Sequence, residues 1–490
     1  MTALSLLRFR SRIILAALFF AVVLSNCKTA AKRRTAGSSL AGDEQDVISL
    51  RDFQYETDNL LLKTLSSRID CKAAAELVVL PASGSLKKTV TGTYQSPYPY
   101  EFLLEQLFNP GSRISQCAPQ SKKSVESELT GMRKLIFAAR QKNLGLTFIM
   151  AGGFGSHLTE SGALYDSRDL WSKAFADEIK RGDLRILRHE CQPNSFATDD
   201  ECAPKIHTKF LELEANKTKE HRYLFWGYSK GGTSMLQALA SFPDIRERTL
   251  ALITVGSPFG GGLPMVMIHP LVESLAKNRS EMTEFNRGLL GTMLSFGAGA
   301  SLGNSASVAQ KILPMYTGPE FETVRAGIRS LLPSQRKNFL FEKVKNWDLS
   351  RSEPDPMTGT REFPIFHVAA ALDVAKLEAF PLLSTDSDGN IVFQSGTQDL
   401  SHMGELTSII NFRRHPISDS CVALEHSVLP VDVVPKGAKA SLLGVLALDH
   451  MALGFSRRLD ALESAPGPNL PRTAIVDAIL DSALTRMGIQ

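Results

Sequence analysis

Cysteine is scarce in this chain, and its placement excludes a familiar use. There are six in 490 residues and no two form a CxxC pair, so a structural zinc site has no support. Excess charge is equally limited. Seven of the 55 Lys and Arg lie in residues 1–34, where there is no Asp or Glu; the other 48 face 51 acidic residues. With no basic patch, aromatic RNA-binding stretch or zinc-knuckle spacing beyond that point, nucleic acid is excluded as an expected partner. No internal repeat occurs, and no low-complexity tract lies outside residues 28–44. Hydrophobic residues at 43% and charged residues at 22% are ordinary globular values and argue against wholesale disorder.

The N-terminus is what remains unusual. Arg8, Arg10 and Arg12 lead into a 12-residue apolar run, Ile13 to Leu24. That is too short to cross a bilayer, and a basic flank before a short apolar core is the layout of a secretory signal. The run ends in Leu24-Ser25-Asn26-Cys27, which resembles a bacterial lipobox. The resemblance implies lipidation at Cys27 and membrane attachment through that lipid; Asn26 departs from the usual small residue. An uncleaved anchor or a plain signal peptide are the alternatives, and all three place the protein outside the cytoplasm. We therefore expect a signal peptide over 1–26, a polar tether over 27–44, and an N-terminal extension of unassigned role over 45–140. An extracytoplasmic site permits disulfides. Cys191 and Cys202 flank a polar loop and are the first pairing; Cys71 with Cys117 is the second, leaving Cys421 odd.

From about residue 144 a rhythm begins. LGLTFIM, DLRILRHE, HRYLFWG and TLALITVGSP are short apolar runs, separated by the helical stretches SRDLWSKAFADEIKRG, APKIHTKFLELEAN and SKGGTSMLQALASF. Strands alternating with helices of this length predict a parallel sheet covered on both faces. Residues about 265–360 interrupt it with a helix-rich insertion that carries no charge from Leu289 to Ser307. It reads as either a buried insertion or a lid over an apolar substrate site. PIFHVAAAL resumes the sheet, and SLLGVLALDHMALGF ends the informative part.

The stretch FWGYSKGG joins strand HRYLFWG to helix TSMLQALASF with no room for an ordinary connection. A serine there is forced into a strained turn, with Gly227 and Gly231 removing side chains that would clash, and its hydroxyl is presented beside a helix N-terminus. With strand before and helix after, Gly227-Tyr228-Ser229-Lys230-Gly231 resembles the nucleophile elbow of the α/β-hydrolase family, lipase/esterase-like members in particular. Two further stretches share the resemblance: Ala151-Gly152-Gly153-Phe154-Gly155, where the family commonly has a His-Gly loop and this chain has no His, and Gly256-Ser257-Pro258-Phe259-Gly260-Gly261.

The resemblance implies an α/β-hydrolase fold over residues 141–460 with a helical insertion, followed by a C-terminal helical segment over 461–490. It implies Ser229 as nucleophile, with the backbone N–H groups of Lys230 and Phe154 as an oxyanion hole. A serine hydroxyl needs a base within hydrogen-bond reach, and the family's chain order is Ser, acid, His. After Ser229 stand His269, His367, His402, His415, His426 and His450. His450, in Leu448-Asp449-His450-Met451, matches the family's late hydrophobic-Asp-His pattern; His367 reads as a satisfied core residue. For the acid, Asp388 in DSDGNIV resembles the family's D-G-x-V loop, with Asp386 and Asp373 as alternatives, and a plain turn is the simpler reading of that stretch. No metal or cofactor is implied. The expectation is a serine hydrolase acting on an ester or lipid substrate through a Ser-His-Asp triad. The alternative is a non-catalytic lipoprotein of the same fold that binds lipid or a cell-envelope partner.

Overall fold

The computed structural model describes residues 60, 61, 64, 129–154, 156, 168–189, 191, 195–277, 320–370, 383–385, 391–393, 418, 419, 421–446, 450 and 472–489. The expected signal, the tether, Cys27, Cys71, Cys117 and Leu289 to Ser307 lie outside them, as does all but three residues of the stretch from 45 to 128.

Six parallel strands form the main sheet: β1 (Gly145–Ala151), β2 (Leu184–His189), β3 (His221–Tyr228), β4 (Thr249–Val255), β5 (Phe363–Ala370) and β8 (Ala438–Leu446). Their order is β2-β1-β3-β4-β5-β8. Two short strands, β6 (Leu383–Thr385) and β7 (Ile391–Phe393), pair antiparallel on their own. Every residue of β1, β3, β4 and β5 is buried, which is why these segments read as unbroken apolar runs. Alternate residues serve opposite faces. Phe148, Leu224, Trp226 and Val368 face one layer; Ile149, Phe225, Leu252 and Ile365 face the other.

The first layer contains α1 (Thr130–Gln141) and α10 (Arg472–Arg486), together with Trp171 of α2 (Arg168–Ala174). Helix α3 (Ala176–Lys180) follows α2 and precedes β2. The second layer contains α4 (Asp199–Ala215) and α5 (Lys230–Ser241), with Leu340 of α9 (Pro333–Glu342). Between α5 and β4 runs the short α6 (Pro243–Arg248), and between β4 and β5 stand α7 (Leu263–Lys277), α8 (Glu320–Ser330) and α9. An all-parallel sheet with helices on both faces and a sharp strand-to-helix turn after β3 is the α/β-hydrolase fold expected from the sequence.

Two local devices explain where helices begin. Thr198 caps α4, accepting from Glu201 N while Glu201 Oε2 accepts from Thr198 N, a reciprocal box. Helix α1 has no side-chain cap of its own; Asp477 of α10 supplies one, accepting from Gly131 N at 2.8 Å and Met132 N at 2.9 Å. That cap, and the shared core with Ile475 and Ile479, ties α1 to the sheet. Helix α1 thus belongs to the hydrolase-fold core rather than to the N-terminal extension expected over 45–140. Leu61 joins the same core. Cys191 and Cys202 form a disulfide with Cα atoms 5.2 Å apart, fastening the chain after β2 to the first turn of α4.

Candidate active site

Strand β3 ends at Tyr228, and the next residue begins the turn. Ser229 has φ 50° and ψ −131°, a left-handed conformation that costs an ordinary residue about 1–3 kcal/mol. The turn is held from both sides: Ser229 N donates to Val255 O of β4 at 2.9 Å, and Gly232 N donates to Ser229 O at 3.0 Å. The glycines around it are steric necessities. A Cβ on Gly227 would overlap the backbone of Gly231 and Gly232, and one on Gly231 would lie 2.7 Å from Ala151 C and Gly152 O. Gly232, not singled out in the sequence, is equally confined, since a Cβ there would overlap the Ser257 side chain. Ser229 itself is 8% exposed.

His450 meets this hydroxyl from 221 residues away. Its Nε2 lies 2.9 Å from Ser229 Oγ, and its Nδ1 lies 2.6 Å from Asp419 Oδ2. A carboxylate only accepts, so the pattern assigns the proton to Nδ1 and leaves Nε2 free to accept from the serine O–H. Asp419 is fully buried. Its other oxygen accepts from Cys421 N at 3.0 Å and Val422 N at 2.7 Å, and its carbonyl accepts from His450 N at 2.7 Å. Serine, imidazole and carboxylate therefore form one continuous hydrogen-bonded line.

The carboxylate differs from the sequence expectation. Asp388 lies outside the described residues, as do Asp386 and Asp373, and the Nδ1 position is filled by Asp419. The flanking strands β6 and β7 pair antiparallel, with Thr385 opposite Ile391. Among the other histidines, His367 is buried in β5: Leu429 N donates to its Nε2 at 3.4 Å and Thr254 Oγ1 stands 2.7 Å from Nδ1. Burial lowers its pKa to about 3, so it is neutral. His269 stands 3.4 Å from Glu273 on its own helix, and His426 is buried against Gly260. His402 and His415 lie outside the described residues.

The glycine loop after β1 sits against the serine: a Cβ on Gly153 would come within 2.8 Å of Ser229 Cβ. Phe154, next in the loop, is buried and packs edge-on against Phe196 with centroids 4.6 Å apart; both touch α8 at Gly327. Among the described residues no hydrogen bond occupies the N–H of Phe154 or of Lys230, the latter being the first residue of α5, whose N–H groups have no partner within the helix. These donors border the serine and can meet a developing negative charge.

The Lys230 side chain turns away into a buried cluster the sequence did not announce. Its Nζ lies 3.4 Å from Cys202 Sγ, 3.3 Å from Ser234 Oγ and 3.8 Å from Asp199 Oδ1. Asp199 also accepts from Ser234, Thr233 and Arg336, the last at 2.8 Å. Burial pulls the Lys230 and Arg336 pKa values down. Burial pushes the Asp199 carboxyl up, but the two cations outweigh it and hold the group below the ordinary carboxylate range. Among the described residues no group of three or more His, Cys, Asp or Glu is placed to hold a metal ion.

No family model matches the chain, and no curated protein does. Solved structures similar to it include a metagenomic carboxyl esterase at 19% identity, covering 70% of this chain and 76% of that one with a TM-score of 0.39. A Bacillus licheniformis lipase in its mature form is 12% identical, with 66% of this chain and 91% of that one covered and a TM-score of 0.30. EstA from Clostridium botulinum is 9% identical, with 69% and 87% covered and a TM-score of 0.33.

Proposed function

We propose that this chain is a serine hydrolase that cleaves carboxylic esters through an acyl-enzyme intermediate. The observation that carries the reading is the hydrogen-bonded line from Ser229 Oγ through His450 to Asp419. Ser229 attacks the acyl carbonyl while His450 Nε2 takes its proton; Asp419 holds the ring in the Nδ1–H tautomer and stabilises the imidazolium, without itself taking the proton. The N–H groups of Lys230 and Phe154 hold the oxyanion, each such donor contributing about 10²–10³ in rate. His450 then gives its proton to the leaving alcohol. Water attacks the acyl-enzyme with His450 as base, releasing the acid and restoring the serine.

Lipid esters are the substrate class favoured by the apolar composition of residues 289–307 and by the lipobox-like Leu24–Cys27, which would put the mature enzyme on a membrane surface. Mass spectrometry of the mature N-terminus tests the anchor: a diacylated Cys27 supports it, and a free N-terminus elsewhere rules it out. The catalytic reading is tested with a fluorophosphonate probe and p-nitrophenyl butyrate. The wild type takes up one probe molecule and turns over the ester; Ser229→Ala does neither. Labelling of both proteins, or of neither, rejects the proposal.

A further inference from the structure

The side chain just before the nucleophile touches the base from behind. Tyr228 is 3% exposed, and its phenol O–H donates to the carbonyl of His450 at 2.7 Å. Its ring lies 5.1 Å from the imidazole, tilted by 33°. The two residues are 222 positions apart in sequence. His450 is thus held at four points: its ring nitrogens by Ser229 and Asp419, its N–H by Asp419 O, and its carbonyl by Tyr228.

We infer that Tyr228 is a positioning residue for His450, fixing the backbone from which the imidazole swings. The inference rests on the proposed catalytic role of that imidazole. Tyr228 and Ser229 are adjacent at the end of β3, so one rigid strand end sets both the nucleophile and the anchor of its base. Any shift of the strand moves the two together, and the 2.9 Å serine–imidazole contact is preserved. Asp419 alone does not secure this, because it holds the ring and the N–H from a segment 31 residues before His450 and is not adjacent to the elbow. Proton transfer depends steeply on this geometry, and the phenol O–H donates to the His450 carbonyl.

The test is Tyr228→Phe, which keeps the ring and removes only the hydroxyl. Losing one buried hydrogen bond at the base predicts about a tenfold fall in kcat for p-nitrophenyl butyrate, with KM within twofold. In a His450→Ala background the same substitution has no further effect on residual turnover, since it acts only through the imidazole. The far-downfield proton resonance of His450 Nδ1–H, sharp in the wild type, broadens by exchange with water in Tyr228→Phe. An unchanged kcat, a rise in KM with kcat kept, or an equal fall in the His450→Ala background overturns the inference. The resonance is read without substrate. A catalytically silent wild type would therefore reject the esterase reading alone, and an unchanged resonance would reject the role of Tyr228.

Discussion

Asp419→Asn is the substitution that bears most directly on the site. Two backbone donors, Cys421 N and Val422 N, face one carboxylate oxygen, so the asparagine carbonyl takes that place and its NH₂ takes the place of Oδ2. An NH₂ donates, and the atom it faces, His450 Nδ1 at 2.6 Å, must then become an acceptor. The ring proton moves to Nε2, which points at Ser229 Oγ and can no longer receive the serine proton. Loss of the correct tautomer costs about 10⁴ in rate, or about 5.4 kcal/mol of transition-state stabilisation. Stability falls much less, about 2 kcal/mol for one charge-assisted bond, because both backbone contacts survive. The assay is ester turnover with the melting curve beside it, and Asp388→Asn in parallel. Turnover should fall by about four decades in the first variant and stay within twofold in the second. Retention of a tenth of the activity by Asp419→Asn, or a hundredfold loss in Asp388→Asn, refutes the assignment.

Gly231→Ala drives a Cβ to within 2.7 Å of the backbone of Ala151 and Gly152, so α5 must shift. We expect a loss of about 1–3 kcal/mol in denaturant unfolding and near-complete loss of probe labelling. Gly359→Ala, at φ +71° with nothing within 4 Å, should cost only the left-handed penalty of about 1–2 kcal/mol and leave labelling intact. His367 supplies a pH test. Its native pKa of about 3 lies below the ordinary 6.5, so between these values the unfolded chain binds a proton that the native one does not. Its contribution is complete above pH 6.5 and is lost as pH falls toward 3, with a slope of about 1.4 kcal/mol per pH unit. Denaturant titrations from pH 7 to pH 4 on His367→Asn should show that slope removed, and an unchanged slope would reject it.

The strands were legible because burial on both faces leaves a continuous apolar run, and the elbow because a serine between close-packed glycines has few other uses. His450 was legible through its position after the last apolar run. Asp419 was not. It sits in HPISDSC, which carries no family-like pattern, and its place is set by contacts with residues remote in the chain: Leu263 N donates to Cys421 O at 2.7 Å, and His450 N donates to Asp419 O. The DSDGNIV stretch carried the stronger local pattern, and its Asp388 lies outside the described residues. Lys230 was equally opaque. The sequence reading used only its backbone N–H, and its side chain is 2% exposed and lies against a disulfide and an aspartate.

The GSPFGG stretch after β4 acquires a physical role from these contacts, one step removed from chemistry. A Cβ on Gly260 would lie 2.6 Å from His426 Cγ, and Gly260 N donates to His426 O at 3.0 Å. The missing side chain lets the segment from Ser418 to Leu429 seat closely against the loop, and that segment carries Asp419. One residue earlier, Phe259 O accepts from Arg336 Nε at 3.1 Å; Arg336 pairs with Asp199, and Asp199 accepts from Thr233 and Ser234 on the helix that begins at Lys230. The support of Asp419 and the first turn of α5 are thus joined through one buried ion cluster. Two cations around a single carboxylate, all out of water, cost several kcal/mol per ion in desolvation and repay that only through good geometry. Such a cluster is poor stabiliser and good rivet: it fixes where α5 stands relative to the 257–263 loop. The serine–imidazole–carboxylate line requires that same relation, because its first member caps the start of α5 and its last is seated against that loop.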